Sequence, residues 1–145
     1  MVRARPFVDV GSLRPFIPGG FQLPEAKTLI AWRDADHLYV GTDTGPGSLT
    51  DSGYPRTVRL WRRGTPLAEA PLVFEGEPGD VAAGVIVDRT PGHERTLFHR
   101  SIDFYRDRLW WLDGSTLREI DKPADAAVAP WHGWLLLQLR SDWAV

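Results

Sequence analysis

The sequence contains no cysteine and no asparagine, one methionine, and only two lysines, Lys27 and Lys122. Without cysteine there is no disulfide framework, no thiolate nucleophile and no thiolate metal ligand. Residues 1–7 lack the apolar core of a signal peptide. The longest apolar run, Trp134-Leu135-Leu136-Leu137 with Leu139 beyond it, is far too short to cross a bilayer. These absences predict a soluble, cytoplasmic protein with no membrane partner. A net charge of -2 and a pI near 6.1 argue against a nucleic-acid binder, which usually shows a basic patch or stripe. Abundant arginine beside scarce lysine and absent asparagine is the usage of a GC-rich genome, and carries no chemical message.

Turn formers are plentiful, and they decide the fold class. The 12 prolines and 14 glycines cut the chain into short pieces, and no window sustains an apolar period of 3.6 residues over three turns. Between the breaks lie about twelve short strand-like runs: residues 7–10, 14–17, 28–32, 37–41, 57–61, 71–74, 81–87, 95–99, 108–112, 116–120, 126–129 and 134–139. In the run 57–61, Val58 and Leu60 share one face and Arg59 takes the other. Asp34-Ala35-Asp36 and Asp113-Gly114 are hairpin signals. Seven tryptophans suit the packing of sheet on sheet, where large rings fill wedge-shaped gaps. Leu29-Ile30-Ala31-Trp32, Val85-Ile86-Val87-Asp88 and Ala127-Val128-Ala129-Pro130 recur at spacings near those of propeller blades, each as the first strand of a four-stranded unit. The expectation is an all-β fold: a β-propeller segment of about three four-stranded antiparallel blades, forming a single partial domain over residues 1–145. It comprises the last two strands of one blade, two whole blades and the first two strands of another.

Chemistry is harder to find. A hydrolase elbow needs Gly-x-Ser-x-Gly on a sharp turn, because the turn exposes the hydroxyl beside an oxyanion hole. None of the six serines fits. Ser48 and Ser52, in Gly47-Ser48-Leu49-Thr50-Asp51-Ser52-Gly53, have glycines at the wrong offsets and read as a polar loop with local turn hydrogen bonds. His37, His93, His99 and His132 are scattered without metal-ligand spacing. Gly45-Pro46-Gly47 fails the dinucleotide spacing, and Pro46 removes an amide donor. Arg56, Arg59, Arg62 and Arg63 form a basic run, read as a solvated face partly neutralised by Asp51 and Glu69. A functional version has some of these arginines facing a cavity and attracting peptide carboxylates. Asp34/Asp36 and Asp103/Asp107 are read as turn residues. No catalytic, cofactor-binding or metal-ligating residue is assigned, and no cofactor is expected.

Longer stretches of wording carry a resemblance. Residues 45–80 run from Gly45-Pro46-Gly47-Ser48-Leu49-Thr50-Asp51-Ser52-Gly53-Tyr54-Pro55-Arg56 through Leu60-Trp61-Arg62-Arg63-Gly64-Thr65-Pro66 to Phe74-Glu75-Gly76-Glu77-Pro78-Gly79-Asp80. They resemble the β-propeller domain of bacterial prolyl oligopeptidases, serine peptidases that cut short peptides after proline. Trp32-Arg33-Asp34-Ala35-Asp36-His37-Leu38-Tyr39-Val40-Gly41-Thr42-Asp43, Asp88-Arg89-Thr90-Pro91-Gly92-His93-Glu94 and Leu137-Gln138-Leu139-Arg140-Ser141-Asp142-Trp143 are similar to the same family. The resemblance implies a seven-bladed propeller capping an α/β-hydrolase domain that bears a Ser-Asp-His triad. In that arrangement the propeller gates access of short proline-containing peptides and cuts no bond. None of the family's triad motifs has a counterpart here, so no catalytic residue carries over, and the sequence stops about three blades in. The competing readings are a stand-alone β-sheet module that offers aromatic and arginine side chains to a peptide or sugar, and a truncated remnant. A three-blade piece also predicts a homodimer, in which residues 126–139 of one copy pair with residues 7–17 of another to complete a ring.

Overall fold

Alternating runs between turn residues fold as antiparallel strands throughout. The structure is a computed structural model and describes residues 2–3 and 19–144. β1 (Val2–Arg3) pairs with β2 (Gln22–Leu23). β3 (Leu29–Trp32), β4 (His37–Gly41), β5 (Thr57–Arg62) and β6 (Leu72–Glu75) form a four-stranded sheet in chain order. β7 (Ala82–Asp88), β8 (Arg95–Ser101), β9 (Asp107–Asp113) and β10 (Thr116–Ile120) form a second. β11 (Ala127–Trp131) and β12 (Trp134–Gln138) make a two-stranded hairpin. Each sheet is an up-and-down meander of the kind that builds propeller blades. The first strands fall where the repeat places them, at β3, β7 and β11. The strands expected at 7–10 and 14–17 lie outside the described residues.

Both hairpin signals are realised. Asp34 closes its turn by accepting the Asp36 amide at 2.9 Å and the His37 ring Nδ1 at 2.8 Å. In the β9–β10 turn, Asp113 faces Thr116 across the ladder. Gly114 therefore takes the first turn position at φ +61°, a left-handed conformation that a side chain would strain.

The two four-stranded sheets share a core. Tyr39, Val58 and Phe74 of the first meet Ala83 and Phe98 of the second. Phe98 is the centre: its ring stacks on Phe74 at 5.1 Å and receives Tyr39 edge-on at 5.4 Å. The first sheet is also covered on its other face, where Leu38, Val40 and Trp61 pack against Phe21 and Leu23. Burial on both faces explains why β4 reads Leu-Tyr-Val without polar alternation. The β11–β12 hairpin lies over part of the second sheet's other face, the side that bears Leu97 and Trp111.

Candidate functional site

Meander topology brings loops 42–56, 76–81, 102–106 and 121–126 to one end of the sheets. Loop 42–56 is rigid because its own side chains satisfy its backbone. The buried Ser48 hydroxyl donates to the Gly45 carbonyl at 2.6 Å and accepts the Thr44 amide at 2.9 Å. Thr50 Oγ1 donates to the Val81 carbonyl at 3.0 Å, and the Asp51 amide donates to Pro78 at 2.8 Å. These bonds tie the loop to the connection between the sheets. Arg56 adds Gly47 and Gly76 carbonyls and the Glu75 carboxylate, at 2.8, 3.2 and 2.6 Å.

Beneath these loops sits a bidentate ion pair. Arg100 Nε and a terminal guanidinium nitrogen donate to the two oxygens of Asp80 at 2.7 and 3.0 Å. Asp80 is buried and also accepts the Glu77 amide at 2.7 Å. Burial alone raises the Asp80 carboxyl, yet the Arg100 and Glu77 hydrogen bonds outweigh it and hold the group below the usual carboxylate range. Lys122, its ammonium almost wholly enclosed, bonds Asp107 Oδ1 at 2.6 Å and the Pro123 and Ala126 carbonyls at 3.1 Å each. It thereby fastens the β10–β11 connection to the start of β9.

A cavity of about 290 Å³ opens at this end, lined by His99, Ser101, Asp107 and Arg140 among others. A serine, a histidine and an aspartate in one cavity call for a geometric test. Ser101 Oγ lies 3.5 Å from His99 Nδ1. The other ring nitrogen, Nε2, faces Gly84, where an added Cβ would come within 2.5 Å of it. Asp107 is engaged by Lys122. Among the described residues no carboxylate is hydrogen-bonded to the imidazole, so the trio lacks the relay that activates a serine. Burial, partly offset by the charge of Asp107, holds the His99 pKa below the usual histidine value, and the ring is a neutral packing group over a glycine.

The residues singled out in the sequence take structural places. Asp34 and Asp103 close turns, the latter accepting the Tyr105 and Arg106 amides at 2.8 Å and leaving Phe104 and Tyr105 exposed. His93 meets His132 edge-on at 5.5 Å, docking the β7–β8 turn on the hairpin tip, rather than standing free in solvent. Among the described residues no three His, Cys, Asp or Glu side chains converge as a metal site. Gly45 and Gly47 both have left-handed φ and shape the loop.

The basic run requires a correction. Asp51 and Glu69 do not neutralise it: Arg56 pairs with Glu75 and Arg63 with Asp36, because strand alternation and the bulge at Val58/Arg59 send the side chains apart. Arg59 turns inward to the Ala70 carbonyl at 2.7 Å, with its Nε buried and unpaired. None of the four lines the cavity beside His99.

No family model matches the chain. Its sequence is 30% identical over 135 residues to a protein of Sinorhizobium fredii named as an uncharacterized peptidase, y4nA, covering 88% of this chain and 19% of that protein. Its fold superposes on a post-proline cleaving enzyme from Rickettsia typhi with a TM-score of 0.77 and 26% identity, covering 88% of this chain and 21% of that one. Over this stretch the chain is similar in sequence to a peptidase and in fold to a post-proline cleaving enzyme, consistent with a partial prolyl oligopeptidase-like domain. It spans about one-fifth of the length of either relative. The prolyl oligopeptidase-like resemblance read from residues 45–80 thus extends to backbone geometry. Among the described residues, no helix is long and apolar enough to cross a membrane.

Proposed function

We propose that this chain is a non-catalytic, propeller-forming part of a post-proline serine peptidase. Its sheets admit short proline-containing peptides to a hydrolase site carried outside residues 1–145 and turn away folded protein. The observation that carries this reading is the superposition on the post-proline cleaving enzyme, which holds over most of the chain at 26% identity. The local chemistry supports it. Loop 42–56 is held by its own side chains and by the neighbouring loop, as a fixed rim needs, and Ser101 has no oriented base. The isolated chain is expected to release no chromophore from a proline-containing chromogenic peptide. Turnover that a serine-directed reagent abolishes would overturn the assignment.

A further inference from the structure

A rim that selects by size has to resist opening, so the residue that holds it closed decides the selection. In loop 42–56 the bonds converge on Arg56. The loop narrows to a neck, where Leu49 bridges Pro55 and the Thr50 amide donates to the Tyr54 carbonyl at 2.8 Å. Arg56 leads from this neck into β5 and holds both of its sides. Its amide donates to the Ser48 carbonyl at 2.8 Å, and its carbonyl accepts the Gly76 amide at 2.8 Å. The side chain repeats the span: Nε donates to the Gly47 carbonyl, while Nη1 reaches the Gly76 carbonyl and the Glu75 carboxylate. One residue thus joins the loop, the last strand of the first sheet and the connection to the second.

The seat of this clamp is rigid. Both sheets that meet here have all four strands, β3–β6 and β7–β10. Pro55 is fully buried and accepts the Ala83 amide at 2.8 Å. It lies so close to Gly41 that an added Cβ there would come within 2.9 Å of it. Gly76 is wedged between the clamp and the Asp80–Arg100 pair: a Cβ on it would stand 2.9 Å from Asp80 Oδ2 and 3.6 Å from the Arg56 carbonyl oxygen. The far end of the loop has its own ties, from Thr50 to Val81 and from Asp51 to Pro78. The near end, at Gly47, is tied across the neck by the guanidinium. With the Arg56 side chain 19% exposed, water competes little for these bonds. A guanidinium donates in several fixed directions within one plane, as three acceptors spread in this way require, whereas a lysine ammonium is a single point.

We propose that Arg56 is the positioning residue that holds loop 42–56 as a fixed rim and so sets the size of polypeptide these sheets admit. What the rim excludes rests on the peptidase reading; the clamp rests on the hydrogen bonds alone. Without the guanidinium the Gly47 carbonyl loses its partner across the neck, and the loop opens locally about its Thr50 and Asp51 ties. The sheets stay intact, because Pro55 and the backbone of residue 56 still anchor the entry to β5.

The test begins with amide hydrogen exchange in the 145-residue chain. In Arg56→Gln the amides of Ser48, Thr50 and Gly53 exchange about tenfold faster, the loss expected when bonds from a charged donor go. Those of β4 and β8 keep their rates, and Arg56→Lys falls between Arg56→Gln and the unaltered chain. Unchanged exchange in the loop overturns the clamp, and equal loss of protection in β4 and β8 reduces Arg56 to a general structural residue. The second arm places residues 19–144, with and without Arg56→Gln, in the matched one-fifth of the Rickettsia typhi post-proline cleaving enzyme. The variant chimera is expected to cut a folded protein with exposed prolines, while its kcat/KM for a short chromogenic peptide stays within about twofold. A variant chimera that still spares the folded protein overturns the selective role. An unaltered chimera inert toward the peptide sinks the peptidase reading and the size cut-off with it but leaves the exchange result standing, so the two failures are distinguishable.

Discussion

Replacing Phe98 by alanine is expected to lower stability by about 4 kcal/mol, measured as the shift of a urea unfolding curve followed by tryptophan fluorescence. Phe98 is 0% exposed and touches both four-stranded sheets through Phe74 and Tyr39. Its partners are strand residues held in ladders, so they cannot collapse into the space that the ring vacates. A cost at the upper part of the large-to-small range follows. That loss is a large share of the total stability of a domain this size, commonly about 5–15 kcal/mol. Phe98→Leu keeps most of the volume and should cost about half as much. A Phe98→Ala change below about 1 kcal/mol would mean that the sheets do not pack through this ring.

Asp80→Ala is expected to cost about 3 kcal/mol by the same measurement, since it takes the two-point carboxylate partner from the Arg100 guanidinium and leaves it only Glu77 at 3.5 Å. It also leaves the Glu77 amide without its acceptor. The double variant with Arg100→Ala should be less damaging than the two single losses added, which a double-mutant cycle reads directly. The pH dependence has a definite sign. Asp80 has a folded-state pKa below its ordinary value of 3.8. Its contribution is present in full well above that value and is lost as the pH falls below it through the folded pKa. The acid limb of the wild-type stability curve in this range should flatten in Asp80→Ala. An unchanged acid limb would show that the pair contributes nothing to folding.

Strand positions were legible because each run is short, β-rich and bounded by glycine, proline or aspartate. All ten runs from residue 28 onward become strands, β3 to β12. β2 was not legible: Gln22–Leu23 is too short to show a period, and Phe21 and Leu23 are buried only because the first sheet presents a second apolar face to them. The basic run misled because proximity in sequence is not proximity in a bulged strand. Arg59 and Arg63 go to opposite surroundings, one to a backbone carbonyl inside and one over the Phe21 ring at 5.0 Å. The apposition of the hairpin and the second sheet was invisible for the opposite reason. Arg95, Trp111 and Trp134 come from three strands and meet only when the hairpin folds over the second sheet. Ser48 was read correctly as turn chemistry, because its hydroxyl bonds within its own loop to Asp43, Thr44 and Gly45, whereas the ties of Thr50 and Asp51 to the 76–81 loop were not legible.

The most direct test of the gating role is a graft. Residues 19–144 replace the matched one-fifth of the Rickettsia typhi post-proline cleaving enzyme, and the folded chimera is offered a short proline-containing peptide and a folded protein with exposed prolines. The account predicts cleavage of the peptide after proline and an intact protein. A folded chimera that cuts both at comparable rates would contradict it.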